Sequence, residues 1–155
     1  MAKVSVGKKV PDFTLPATGN QEISLSDLKG KNVVVYFYPK DSTPGCTLEG
    51  QDFRDQINKF RRRKTVILGI SRDSIKSHEN FKAKQGFPFE LLSDADEKVC
   101  RLFDVIKEKN MYGRKVMGIE RSTYLLDAKG VLRREWRKVK VKGHVDEVLE
   151  AISEL

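Results

Sequence analysis

The chain is poor in the residues that mark a metalloprotein or a disulfide-stapled one. Its 155 residues include two cysteines, two histidines and one tryptophan. Two cysteines do not make a disulfide framework, and a reducing compartment keeps them as thiols. A zinc site takes about four convergent ligands, and Cys46, Cys100, His78 and His144 show no paired spacing. No metal and no other cofactor is expected, and both histidines read as surface or cap residues. Long apolar runs are also missing. The longest is "VVVYFY", residues 33–38, whereas a membrane span takes about 20. The opening "MAKVSVGKKV" has no apolar core of signal-peptide length. These absences predict a cytoplasmic protein that does not engage a membrane. With no repeat, low-complexity tract or linker, residues 1–155 read as one domain, long enough to bury a real core.

What the chain has in quantity is charge. Lys and Arg number 30 against 22 Asp and Glu, for a formal net charge of +8. The basic residues cluster in "KFRRRK" (59–64) and "RREWRKVKVK" (133–142), the second with Trp136 inside it. Such clusters can face nucleic acid. Cations are also favoured at a helix C-terminus by the helix dipole, and a strand with one wet face accounts for the second cluster. We read both as solvated surface and expect no nucleic-acid partner. A basic nucleic-acid-binding module stays as the rival from another class, resting on charge alone.

The order of elements predicts an α/β fold. "DFTLPATGNQEISL" (12–25) reads as two short strands around a Gly-Asn turn, an N-terminal β-hairpin. "KNVVVYFYP" (31–39) and "TVILGIS" (65–71) are continuous, β-branched and apolar, which suits strands buried on both faces. Between them the pattern from Pro44 to about Lys64 is helical, with Phe53, Ile57 and Phe60 on one face. Residues 73–86 read as a helix with a glycine stop, 89–93 as a short strand, and 94–105 as a helix with acids in its first turn. Residues 118–127 and 131–139 flank "DAKG", a hairpin turn, and 144–155 closes the chain as a helix. The sum is a central mixed sheet flanked by helices.

Cys46 falls in the first turn of the 44–64 helix, just past the carboxyl end of a central strand. Chemistry collects at that edge of open α/β sheets. The first-turn N–H groups there lack intrahelical partners and the dipole is positive, an environment that favours a thiolate. The gain has a ceiling. A free thiol with a pKa of ~8.5 is about 3% ionised at pH 7, so complete ionisation gives only about 30-fold. Enzymes accelerate reactions by about 10⁶-fold or more, so something else must stabilise the transition state.

Pro39, Thr43 and Cys46 give the spacing P-x-x-x-T-x-x-C, and "YPKDSTPGCTLE" resembles the active-site loop of peroxiredoxins. It is most similar to the peroxiredoxin Q subfamily, also called bacterioferritin comigratory proteins. The resemblance runs on through "VPDFTLP", "LGISRDS", "LLSDADEKVCRLFDV" and "GIERSTYLLDAKG", in the same order. It implies a thioredoxin-like fold and reduction of peroxides by a thiol. Cys46 corresponds to the peroxidatic cysteine, Thr43 to the hydroxyl that hydrogen-bonds thiolate and peroxide, and Pro39 to the residue that shields the pocket. Arg121 corresponds to the arginine brought in from a neighbouring strand. These roles suit the chemistry, since breaking an O–O bond builds negative charge on the leaving oxygen, which fixed donors stabilise. Glu49, one turn past Cys46, is expected to hold Arg121 in a bidentate pair.

The resemblance also shows what is missing. Many relatives carry a second, resolving cysteine five residues on, where this chain has Gln51. Others carry it on the next helix, near Lys82. Cys100 is the remaining thiol and reads as a packed helix residue. A one-cysteine cycle follows, in which an external thiol, thioredoxin-like or of low molecular weight, attacks the Cys46 sulfenic acid. A Cys46–Cys100 disulfide is the alternative. A thioredoxin-type reductase needs C-x-x-C, and Cys46 is followed by Thr47, Leu48 and Glu49. The resemblance favours a monomer or weak dimer.

Overall fold

The structure, a computed structural model, describes residues 3–155. The first two residues of the opening stretch read for an export signal lie outside them. Nine strands and five α-helices follow in chain order among the described residues. The first two strands, β1 (Thr14–Ala17) and β2 (Gln21–Ser24), pair antiparallel as the expected hairpin. The apolar runs become β3 (Asn32–Phe37) and β4 (Thr65–Ser71), and β5 is Glu90–Ser93. These three are parallel, with Val35 opposite Leu68 and Gly69 opposite Leu91. Near the C-terminus, β8 (Ser122–Leu126) adds antiparallel to β3, and β9 (Leu132–Trp136) antiparallel to β8. The sheet order is β2-β1-β5-β4-β3-β8-β9, a mixed sheet with β3 and β4 at its centre.

Side chains alternate along a strand, and here both faces are buried. On one face Val33, Val35, Phe37, Leu68 and Ile70 form a core with Leu25, Val99, Cys100, Phe103 and Tyr124. On the other, Val34, Tyr36, Tyr38 and Ile67 pack with Cys46, Phe53, Phe60, Phe81, Phe87 and Val148. The second core lies under α1 (Pro44–Asp55), α2 (Ile57–Arg62), α3 (Ile75–Gln85) and α5 (His144–Ser153), and the first under α4 (Lys98–Leu102). The helices on both faces are as the sequence led us to expect.

Four local expectations need correction. The helix read across 44–64 is broken at Gln56 (φ −106°, ψ 10°), which closes α1 with an N–H bond to Phe53 O. The break still lets Phe53 and Phe60 enter the same core, with ring centroids 5.7 Å apart. The helix read across 94–105 shrinks to α4. Asp94 stays outside it and caps it, its carboxylate accepting from the N–H groups of Val99 and Cys100 at 3.2 and 2.6 Å. Residues 106–119, given no element for most of their length, form an antiparallel hairpin, β6 (Ile106–Met111) and β7 (Arg114–Ile119), separate from the main sheet. Both histidines are buried rather than at the surface: His78 is inaccessible and His144 is 3% exposed. Buried polar rings need partners, and each has them, His144 Nε2 against Thr123 Oγ1 at 2.8 Å and His78 between Asp41 and Leu92 O.

Trp136, counted with the basic cluster, packs against the α5-side core, and Arg134 lies over its ring at 4.9 Å. Its face is therefore occupied. No helix among the described residues is long and apolar enough to cross a membrane.

Candidate active site

Three elements converge on Cys46. The carboxyl end of β3 delivers Pro39 and the turn to Thr43, α1 starts at Pro44, and the approach to β8 brings Arg121. Thr43 occupies the N-cap position (φ −88°, ψ 155°) and Pro44 the first helical turn, where its fixed φ and missing N–H cost nothing. Thr47 N–H bonds Thr43 O at 2.9 Å. The N–H groups of Gly45 and Cys46 are left at the positive end of the helix. Cys46 itself is 2% exposed.

Arg121 is the side-chain donor to the thiol, with Nη2 3.4 Å from Cys46 Sγ. Its Nη1 donates to Glu49 Oε1 at 2.6 Å. Pairing is through one oxygen and not bidentate: Glu49 Oε2 is buried with no hydrogen-bond partner. Burial pushes the Glu49 carboxyl from its ordinary 4.5 up to about 7, against the downward pull of the guanidinium. Arg121 loses solvation too, but the Glu49 and Cys46 charges more than offset this and hold its pKa above the ordinary arginine value. The guanidinium is thus fixed in place beside the sulfur and permanently charged.

Gly45 was not singled out from sequence, and it shapes the site. A Cβ there would sit 3.1 Å from Arg121 Nη2, tighter than the guanidinium tolerates without moving. Gly50 is a second such position. A Cβ on it would meet the Phe87 ring at 2.3 Å, so α1 can lie flat on that ring only with glycine at position 50. Lys109 from the β6–β7 hairpin also reaches the site. Its Nζ donates to Ile119 O, and burial first, then the Arg121 charge, lowers its pKa. The nearby His144 imidazole is pushed down to about 4, by burial and then by Arg121, and so is neutral at pH 7.

The structure therefore brings Cys46, Arg121 and Glu49 into contact, and places Pro39 and Thr43 in the loop that leads into α1. Thr43 is half-buried, and its hydroxyl donates to Lys40 O at 2.8 Å rather than to the sulfur. Cys100 is fully buried in the opposite core, where loss of solvation and then the Asp94 charge raise its pKa far above the ordinary thiol value. Gln51 Nε2 donates to Gln85 Oε1 at 2.9 Å, and Lys82 pairs with Glu90 at 2.6 Å. The two positions where relatives place a second thiol are thus filled by polar bridges, one from α1 to α3 and one from α3 to β5.

A thiol at a helix start, on a thioredoxin-like sheet and under an arginine, is the arrangement of a thiol-dependent peroxidase. Comparison with known proteins agrees. Residues 6–135 match the AhpC/TSA family. Peroxiredoxin Bcp of Xanthomonas campestris pv. campestris is 57% identical over 141 residues, covering 91% of this chain and 88% of the relative. Peroxiredoxin Bcp of Bacillus subtilis is 49% identical over 152 residues, covering 98% and 97%. A solved structure of the Xanthomonas campestris bacterioferritin comigratory protein superposes with a TM-score of 0.90 at 52% identity, covering 99% of this chain and 98% of that one. That work addressed the alkyl peroxide reduction activity of that protein through trapped intermediate and ligand complexes. The chain belongs to the AhpC/TSA family and is a peroxiredoxin.

Proposed function

We propose that this peroxiredoxin reduces hydrogen peroxide and organic hydroperoxides through a sulfenic acid on Cys46, and that an external thiol completes the cycle. The thiolate attacks the terminal peroxide oxygen. The S–O bond forms as the O–O bond breaks, sulfur gives up two electrons, and the other oxygen leaves as alkoxide or hydroxide and takes a proton. The observation that carries this reading is Arg121 Nη2 at 3.4 Å from the sulfur, next to where the leaving oxygen acquires charge. A fixed donor of this kind stabilises the transition state more than the ground state. Glu49 positions Arg121, while Pro39 walls the pocket and Thr43 lies beside it.

Recycling follows from where the second thiol lies. Cys46 and Cys100 belong to cores on opposite faces of the sheet, which argues against a bridge between them, since a disulfide needs Cα atoms within about 7 Å. A thioredoxin-like protein or a low-molecular-weight thiol attacks the sulfenic sulfur, water leaves, and a second thiol reduces the mixed disulfide. Free thiols suit a reducing compartment such as the cytoplasm, and a monomer or weak dimer suffices for this cycle.

The test is hydroperoxide consumption with a small dithiol as reductant. Cys46→Ser falls to the uncatalysed rate and Cys100→Ser keeps most of the activity. Equal loss in both variants would overturn the one-cysteine cycle in favour of a 46–100 bridge.

A further inference from the structure

The loop that carries Pro39 and Thr43 from β3 to α1 is fastened by a buried polar cluster that the peroxide chemistry does not use. Asp41 is 6% exposed and His78, on α3, is inaccessible. Asp41 Oδ1 accepts from Tyr38 OH at 2.6 Å, and Oδ2 accepts from Ser77 Oγ at 2.8 Å. His78 Nδ1 lies 2.7 Å from the same Oδ2, and His78 Nε2 lies 2.9 Å from Leu92 O on β5. The backbone N–H of Asp41 donates to Asp73 Oδ2 at 2.9 Å, and Ser71 Oγ donates to that oxygen at 2.6 Å. One aspartate thus ties the loop to the ends of β3 and β4 and to α3, and through His78 to β5.

Hydrogen-bond accounting fixes the proton content of the pair. The Leu92 carbonyl only accepts, so Nε2 carries a hydrogen. A carboxylate only accepts, so the Nδ1–Oδ2 contact needs another. A neutral imidazole supplies one of the two. The pair therefore holds one proton more than neutral histidine and free carboxylate together. If that proton left, two lone pairs would face each other in a buried site, which is costly. The other groups facing the ring are Tyr38, whose OH is 3.5 Å from Nδ1, and Asp73, whose carboxylate lies within 4.8 Å of the Asp41 and His78 polar atoms. Burial holds the Tyr38 phenol well above its ordinary value, so it stays a donor.

A second observation shows that the loop needs fastening. Ser42 adopts φ 62°, the left-handed region that an L-residue enters only when its surroundings hold it there. It lies between Asp41 and Thr43, and the Thr43 hydroxyl closes the turn onto Lys40 O. Ser42 thus joins the fastened Asp41 directly to Thr43, the N-cap of α1.

We propose that Asp41 and His78 are a positioning pair for the reaction at Cys46: the proton they share holds residues 40–43 against α3 and keeps Thr43 and the start of α1 in the reacting geometry. This rests on the reading of Cys46 as the reacting thiol. The same three acidic and imidazole groups are close enough to hold a cation, but their facing atoms are already bonded to one another and to Ser71, Ser77 and the Asp41 N–H, and the shared proton fills that role.

The experiment pairs nitrogen NMR of the two histidines with stopped-flow peroxide rates on the full reduced chain, both at one pH. The His78 signals are assigned by their loss in His78→Asn. Both His78 ring nitrogens are expected to carry protons in the folded reduced chain. Asp41→Asn offers an amide that donates to a neutral Nδ1, so it keeps a rate within a few-fold of wild type. Asp41→Ala leaves three donors unpaired and slows the reaction by about 10²-fold, the scale of a 1 Å misplacement. A bare Nδ1 in the folded reduced chain, an Asp41→Asn variant as slow as Asp41→Ala, or an Asp41→Ala variant at the wild-type rate would each overturn the proposal. Activity surviving in Cys46→Ser would instead overturn the reading of Cys46, so the two failures are told apart.

Discussion

Replacing Glu49 by glutamine isolates the cost of keeping a carboxyl under the sheet. Glu49 has no solvent exposure, one bond to Arg121 at 2.6 Å and one orphan oxygen. Burial raises its pKa from 4.5 to about 7 in the folded chain. The folded state holds this proton more tightly than the unfolded state does. Its contribution to stability is therefore complete below about pH 4.5 and is lost as the pH rises through about 7. A displacement of that size amounts to on the order of 3 kcal/mol, of which about 2–3 kcal/mol falls between pH 5 and pH 8. Glutamine keeps an oxygen for Arg121 and does not titrate. Urea unfolding of both reduced proteins at pH 5 and pH 8 gives the difference of differences, in which all other groups cancel. Wild type is expected to lose about 2–3 kcal/mol more than Glu49→Gln over that interval. Parallel losses in the two proteins would refute the reasoning and mean that Arg121 compensates the buried charge in full.

Arg121→Ala is expected to lower the high-pH plateau of the peroxide rate by about 10²–10³-fold, the usual effect of removing one oriented donor to a developing oxyanion. A plateau equal to wild type would restrict Arg121 to ionisation of the thiol. Gln51→Cys is expected to form a disulfide with Cys46 on peroxide treatment, read as a mass loss of two hydrogens. Cα atoms five apart in a helix are about 8.7 Å apart, beyond the ~7 Å a disulfide allows, so helix signal in far-UV circular dichroism must fall too. A stable sulfenic acid with unchanged helicity would mean that α1 cannot unwind. Gly50→Ala is expected to destabilise the fold by about 1–3 kcal/mol through overpacking against Phe87, whereas helix propensity alone would stabilise it by up to about 1 kcal/mol. Urea unfolding gives the sign, and a more stable variant would count against the tight contact of α1 with Phe87.

How much of this was legible in the sequence depended on how far apart the partners lie. Pro39, Thr43 and Cys46 lie within eight positions and carry their own punctuation, so the loop could be read directly. The strands at 31–39 and 65–71 could be read because a buried run has no polar interruptions. Arg121 stands 75 residues from Cys46 and looks like any other arginine, so only the family resemblance picked it out. The break at Gln56 was hidden because Phe53, Ile57 and Phe60 keep helical spacing across it. The β6–β7 hairpin was missed because most of its side chains face solvent, which leaves no alternation to read. The burial of His78 and His144 had no local signal, since their partners Asp41, Leu92 and Thr123 are 37, 14 and 21 residues away. Gly50 seats the ring of Phe87, 37 residues further along the chain, a contact with no local signal.

The interruption at Gln56 has a mechanical meaning. A continuous helix from 44 to 62 would transmit any loosening at its first turn along its whole length, because each hydrogen bond supports the next. Here the ladder stops at Gln56 and restarts at Ile57, and each piece anchors its own phenylalanine in the core. The break acts as a firebreak. Any loosening that starts at the first turn of α1 meets this interruption before it reaches α2 and the strand that α2 feeds.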